Sequence, residues 1–292
     1  MKNKKGVFLF FSLTDAKKTA KYMDCYTTEL VDECARPMLT SVPCAYVLTM
    51  HPTETFRWLH GVAARTYVQR NRGFGACPKT RDGGAAVTAS NQDIVHAYKR
   101  VFARVDPSAP VLVFEDDARL TANAREDLAE VDRFVATEPF TVYTLGSLCA
   151  MVPFNGSHWR IPGSFGALHA AIYAPAAARA VVEATGVGPH EHIDAHVVGK
   201  LPLKFTFWRP IAWQPVDPKN RSANSMTWCG DCKAGWLDVV HREVAWAYYG
   251  ALGMESEQGW HRIYFVQKLP FSLGILLLAL IAGYVSFRLT VP

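Results

Sequence analysis

The sequence predicts an α/β fold, a mixed sheet flanked by helices, followed by one C-terminal transmembrane helix. Three observations predict it. Short apolar runs of strand character alternate with amphipathic helical segments, the order that builds a sheet through crossover connections. One run, Val111-Leu-Val-Phe-Glu-Asp-Asp117, passes from four large apolar residues straight into three acids. That pattern suits a buried central strand whose carboxyl end faces a ligand. From Leu269 to Phe287, nineteen residues carry no charge, about the length that crosses a hydrocarbon core.

Taken in order, residues 1–40 form a lead-in, a strand or a disordered stretch. Lys2 to Lys5 precede Gly6-Val-Phe-Leu-Phe-Phe11, but Thr14-Asp-Ala-Lys-Lys18 follows in place of a small-residue cleavage site, so a signal peptide is not the preferred reading. Ala45–Met50 is the first strand. Apolar residues from Phe56 to Ala63 suggest a helix reaching about Gln69, and the glycines and proline of residues 71–84 make a loop. Ile94, Tyr98, Val101, Phe102 and Val105 share one face of a helix that Pro107 and Pro110 terminate. After the acidic strand come a polar helix over 122–137, a strand over 140–145 and a loop rich in Pro, Gly, Trp and Ser. A strand over 165–173 leads into an alanine-rich helix with Pro175 in its first turn. Residues 190–196 begin a short helix, 205–208 form a strand, 215–233 a polar loop and 234–252 a last amphipathic helix. This gives a domain over 41–255, a linker over 256–268 and the membrane helix over 269–288.

The bulk numbers bound the class. The chain has 292 residues, 50% of them hydrophobic, with mean hydropathy +0.02. Without the anchor it is long enough for one large α/β domain. Net charge is +5, a modest excess that suits an anionic membrane surface or an anionic sugar nucleotide. No stripe of basic and aromatic residues argues for a nucleic-acid partner. The seven cysteines are irregularly spaced and odd in number, so no disulfide framework is read. Cys229-Gly-Asp-Cys232 is a lone CxxC, open to a zinc half-site, a redox pair or no role.

The chemistry centres on Glu115, Asp116 and Asp117. Clustered carboxylates repel one another and call for a cation. Hard oxygen donors suit Mg²⁺ or Mn²⁺, which bridge to substrate phosphates. Strand alternation places Glu115 and Asp117 on one side. Asp117 is the first choice of metal ligand, against a bland role capping the next helix.

Four stretches in this order resemble the family 25 glycosyltransferases, the group that includes lipooligosaccharide and collagen galactosyltransferases. They are Val111–Asp117, Leu145-Gly-Ser147, Gly166–Tyr173 with the alanine-rich helix after it, and His192-Ile-Asp194 followed by Arg209-Pro210 and Gln214-Pro215. The resemblance implies a GT-A, Rossmann-like fold. It implies inverting transfer of galactose or glucose from a nucleotide sugar, a UDP-sugar by preference, to a glycan or protein acceptor, with Mn²⁺ or Mg²⁺. It implies Asp194 as the general base, with a helix N-terminal acid as its bland alternative. Glu115, Asp116 and Arg209 would contact the donor; a salt bridge is the competing role for Arg209. A late metal ligand would come from His169, His192 or His196. One stretch departs from the family: Thr49-Met-His-Pro-Thr-Glu-Thr-Phe-Arg57 stands where an Asp-Arg-rich segment is usual, which leaves the donor open. A different nucleotide-dependent transferase and a catalytically inactive membrane-anchored adaptor are the other classes.

His261, Arg262 and Lys268 precede the membrane helix, and Arg288 alone follows it. Positive residues prefer the cytoplasmic side, so the domain is expected to face the cytosol. Asn155-Gly-Ser157 and Asn220-Arg-Ser222 are glycosylation sequons, and sugar on either would reverse that orientation.

Overall fold

The computed structural model describes residues 25–81, 83–185, 188, 192–215 and 236–290. A nine-stranded mixed sheet forms its centre. In chain order its strands are β1 (Tyr26–Glu33), β2 (Cys44–Thr49), β3 (Arg65–Asn71), β4 (Val111–Glu115), β6 (Val142–Thr144), β7 (Val152–Asn155), β8 (His158–Ile161), β9 (Ala170–Tyr173) and β10 (Lys204–Phe207). Their spatial order is β1-β3-β2-β4-β9-β6-β10-β8-β7. β2 runs parallel to β3 and to β4, and β10 runs parallel to β6. β9 lies antiparallel between β4 and β6, so β3, β2, β4, β6 and β10 all point one way. A separate two-stranded ribbon pairs β5 (Arg119–Leu120) with β11 (Ala212–Trp213).

Period-two alternation sorts the strand residues onto two cores. On one face Tyr46, Leu48, Val111, Val113, Ala171 and Tyr173 pack against helices α1 (Ser90–Phe102) and α3 (Pro175–Glu183), through Tyr98, Val101, Ala177 and Val181. On the other, Val47, Leu112, Phe114, Tyr143, Ile172 and Phe205 pack against α2 (Ala124–Thr137), through Leu128, Val131 and Phe134. The strands nearest the centre are apolar on both faces because helices cover both.

Two local expectations are corrected, and the lead-in, left between strand and disorder, contains a strand. The helix expected after Phe56 is a single 3-10 turn, Arg57–Leu59, followed by strand β3. Phe56 and Gly61 take positive φ, 46° and 76°, so the chain turns twice where a helix would continue; Thr66-Tyr67-Val68 then favour a strand. The loop expected after residue 146 contains the β7–β8 hairpin, turned by Gly156 at φ 54°. The lead-in contributes β1, which pairs with β3 as an edge strand.

A disulfide joins Cys25 to Cys77 with the Cα atoms 5.6 Å apart, which corrects the reading without one. It ties the start of β1 to the loop after β3. Closing a loop of 52 residues contributes about 4 kcal/mol in the chain-entropy picture. Lys79 in the same loop is fully buried and bonds Asn71 Oδ1 at 2.5 Å and the Asp93 carboxylate.

Helix α4 (Trp236–Ala251) leads to α5, which is continuous from Glu257 to Thr290. The separate linker expected over 256–268 is therefore absent. Those turns are helical and dock on the domain. Trp260 Nε1 donates to Gln214 O at 2.5 Å, Tyr264 bonds Thr206 Oγ1 and donates to Phe207 O at 2.9 Å, and Gln267 Oε1 accepts the Cys149 N–H at 2.6 Å. Beyond Lys268, Leu269 and the large apolar side chains from Leu273 to Phe287 are exposed. The helix is long and apolar enough to span a membrane.

Candidate functional site

The acids lie at the carboxyl edge of the parallel strands. From β2 the chain crosses to β3 on one side, while β4 continues toward β9 on the other. The crevice between β2 and β4 is thus a topological switch point, where open α/β sheets bind ligands. Asp116 bridges it: its Oδ2 accepts Thr49 Oγ1 at 2.7 Å and the Met50 N–H at 3.4 Å, and lies 3.8 Å from His51 Nε2. The stretch that departs from the family pattern is therefore the one that touches Asp116. Arg70 braces it by donating to His51 O at 2.7 Å and Glu54 O at 3.0 Å.

β4 ends at Glu115, and the Ala118 N–H turns back to Glu115 O at 3.1 Å. This turn sends the three acids to different partners, so strand alternation stops applying after Glu115. Glu115 faces α1 and Tyr98; Asp117 faces Gln214, whose Nε2 donates to Asp117 Oδ2. Gly146 makes that last contact possible. A Cβ there would stand 2.0 Å from Ala212 O, so only glycine lets β11 pass close to the end of β6. Ile211 and Ala212 donate to Leu145 O at 2.6 and 3.0 Å, and Gln214 follows two residues on.

Asp194 sits in a short π-helical turn, Ile193–Val197, with Oδ1 accepting the Ala195 N–H at 2.8 Å. Ala167, at φ 61°, occupies a left-handed conformation that is costly for a residue with a Cβ. Its N–H is held toward Asp194, and a Cβ on Gly166 would stand 3.7 Å from Asp194 Oδ2.

The four carboxylates feel one another. Burial, and then the charges of Asp117, Asp194 and Asp116, hold Glu115 well above the usual carboxylate range, with the Tyr98 hydroxyl opposing in part. Burial pushes Asp117 up to about 6 against the Gln214 amide, with Asp116 adding to the rise. Burial also raises Asp194, against the Ala195 N–H and the charge of His192. Asp117 Oδ1 is buried with no hydrogen-bond partner, an acceptor short of a donor or a cation.

The other residues singled out from the sequence fare differently. His169 is fully buried; its Nε2 donates to Ala212 O at 3.2 Å, its ring stands edge-on to Trp260, and burial lowers it to about 4. Coordination through that nitrogen would cost the bond to Ala212, whereas Nδ1 is buried with no hydrogen-bond partner. His192 lies beside Asp194, and its N–H donates to His196 Nδ1 at 3.0 Å. Arg209 takes the salt-bridge role that was weighed against donor contact: Nε and one terminal nitrogen donate to Asp127 of α2 at 2.9 and 2.8 Å. Replacing Arg209 by Ala strands the buried Asp127 carboxylate. It should cost about 2–3 kcal/mol, read as a drop in Tm with donor KM unchanged. Cys229, Cys232 and Asn220 lie outside the described residues.

Among the described residues, no group of three His, Cys, Asp or Glu side chains is arranged to hold a metal. The donor set therefore fits a cation in part: Asp117 offers an unpartnered buried oxygen, and no protein cage closes around it. That is compatible with Mg²⁺ or Mn²⁺, which keep waters and substrate phosphates in their shells and need one or two carboxylates. Gln214, Tyr98 and Thr49 were not assigned roles from the sequence. Gln214 left a signal in the Gln214-Pro215 pair, Thr49 in the stretch that departs from the family, and Tyr98 only as part of an apolar helix face. No family model matches the chain, and no curated protein is significantly similar to it in sequence.

Proposed function

We propose that the chain is a metal-dependent glycosyltransferase of the GT-A type, akin to family 25. It moves a hexose, galactose or glucose by preference, from a nucleotide sugar to a glycan or protein acceptor with inversion. The observation that carries this reading is the convergence of Glu115, Asp116, Asp117 and Asp194 at a sheet switch point, with one buried Asp117 oxygen unpartnered. The strand directions are compatible with it: β3, β2, β4, β6 and β10 run one way, with the antiparallel β9 between β4 and β6 and the antiparallel β1 and β8 beside β3 and β10.

In this reading Asp117 holds Mn²⁺ or Mg²⁺, and Gln214 fixes the rotamer of its carboxylate. When bound, the cation supplies Lewis-acid stabilisation to the departing diphosphate. Asp116, held by Thr49, orients the donor's ribose or a water. Asp194, raised by burial, accepts the acceptor hydroxyl's proton; its elevated pKa makes it a stronger base than a solvated carboxylate. Inverting transfer then needs no covalent enzyme intermediate. The departure over Thr49–Arg57 favours one second reading, an inactive membrane-anchored adaptor.

The test is nucleotide release from a panel of UDP- and GDP-sugars by the detergent-solubilised full chain, with Mn²⁺ and with chelator. Release from one donor that chelator abolishes supports the transferase. Absence of both turnover and metal-dependent donor binding supports the adaptor.

A further inference from the structure

We propose that the domain folds on the translocated, oxidising side of the membrane and that Asn155 is an N-glycosylation acceptor there. This is independent of whether the acidic site transfers sugar, and it reverses the orientation expected from flanking charge.

Three observations converge. The first is the Cys25–Cys77 disulfide. Stable structural disulfides belong to oxidising compartments and are rare in the cytosol. Its formation takes two protons and two electrons from the two thiols, accepted by a donor disulfide that becomes a dithiol.

The second is the place of the Asn155-Gly156-Ser157 sequon. It forms the tip of the β7–β8 hairpin on the outermost edge of the sheet, where Asn155 pairs with His158 and both Asn155 and Gly156 are exposed. A surface turn is where such an acceptor must sit. The Asn155 amide nitrogen would displace a lipid diphosphate from C1 of an oligosaccharide. The C1–N bond forms, the C1–O bond breaks, Nδ2 loses one proton and the diphosphate leaves. The added sugar would also cover an otherwise open sheet edge, which proteins protect against edge-to-edge pairing.

The third observation removes the charge argument for the opposite orientation. Lys268 is buried, its Nζ 4.8 Å from the Trp159 ring centroid, 5.8 Å from Trp208 and 4.6 Å from Tyr264. That ammonium is enclosed by aromatic faces and does not face lipid headgroups. His261 Nε2 lies 3.5 Å from Glu257. What remains is Arg262 on one flank and Arg288 on the other, which is no bias under the positive-inside rule.

The experiment expresses the full chain in a eukaryotic host and isolates intact microsomes. Asn220→Gln serves as background, so that Asn155 is the remaining sequon. Asn155→Gln and Ser157→Ala are added separately; the second keeps the asparagine and guards against a folding artefact. The expected result is a protease-resistant domain, a glycosidase-sensitive mobility shift lost in both double variants, and a Cys25–Cys77 cross-linked peptide in a non-reducing map. A domain digested from intact microsomes, with Cys25 and Cys77 alkylated as free thiols, overturns the orientation and the site together. A protected domain with no sugar on Asn155 overturns the acceptor site.

Discussion

Replacing Asp117 by Asn is expected to abolish metal-dependent turnover while making the ligand-free protein more stable. The two effects share one cause. Asp117 is a half-buried carboxylate with one buried, unpartnered oxygen, raised to about 6 by burial with Asp116 adding to the rise. Its folded pKa lies above its ordinary value of 3.8, so between those values the folded state binds more protons than the unfolded chain. Stability therefore falls as pH rises from about 4 through 6, and the penalty is complete above that. It is on the order of 2–3 kcal/mol. Asparagine keeps the shape and an oxygen for Gln214 Nε2 but carries no charge to desolvate. Thermal melts of the ligand-free protein at pH 7.5 should show a higher Tm for the variant, and at pH 4 the two should converge. Turnover should fall by about 1,000-fold, because losing a metal's stabilisation of a leaving diphosphate costs several kcal/mol of barrier. A variant that is less stable at pH 7.5, or still active, would overturn the metal-ligand role of Asp117.

Truncation after Ser256 is expected to unfold the domain, whereas truncation after Lys268 should leave it folded. The distinction follows from the continuity of α5. Trp260, Ile263, Tyr264 and Lys268 are all buried against the domain, and each large side chain taken from water contributes about 1.5–3 kcal/mol. Their sum is comparable to the whole stability of an ordinary domain. Trp260 adds a second link, because its Nε1 holds Gln214 O while the Gln214 side chain holds Asp117. Replacing Trp260 by Ala in the full chain should cost about 3–5 kcal/mol. Replacing it by Phe should cost about 1 kcal/mol and loosen Gln214, lowering turnover more than Tm. Circular dichroism melts of the two truncated chains, and turnover against Tm for the two substitutions, check this. A well-folded chain ending at Ser256 would show that the docked turns are dispensable.

Much of the fold was legible from periodicity. Helices α1, α2, α3 and α4 and strands β2, β4, β6, β9 and β10 fall close to where hydrophobic pattern and proline punctuation put them. The misreadings have physical causes. Phe56 to Ala63 has helical spacing of apolar residues, yet Gly61 needs a positive φ and the β-branched stretch after it pairs with β2 and β1. Hydrophobic spacing counts faces and does not see backbone torsion. The turn 156–157 looked like loop because Gly, Pro and Ser punctuate a hairpin and an irregular stretch alike. Polar residues from Glu257 to Lys268 looked like a linker because the chain alternates buried and exposed groups there, which is also what one docked helix does.

The sequence by itself determined the buried strand, the acids at its end and the uncharged span of the C-terminal helix, since each is a local run whose composition dictates its surroundings. Tertiary structure alone decided which partner each acid meets. Three consecutive carboxylates diverge at a turn, to Tyr98, Thr49 and Gln214, which come from 17, 67 and 97 residues away. It likewise supplied the salt-bridge partner of Arg209, Asp127 on α2, 82 residues away in the chain. It also joined Cys25 to Cys77 across 52 residues. Pairings at such separation depend on sheet order and on close approaches such as Gly146 beneath Ala212, which no local pattern encodes.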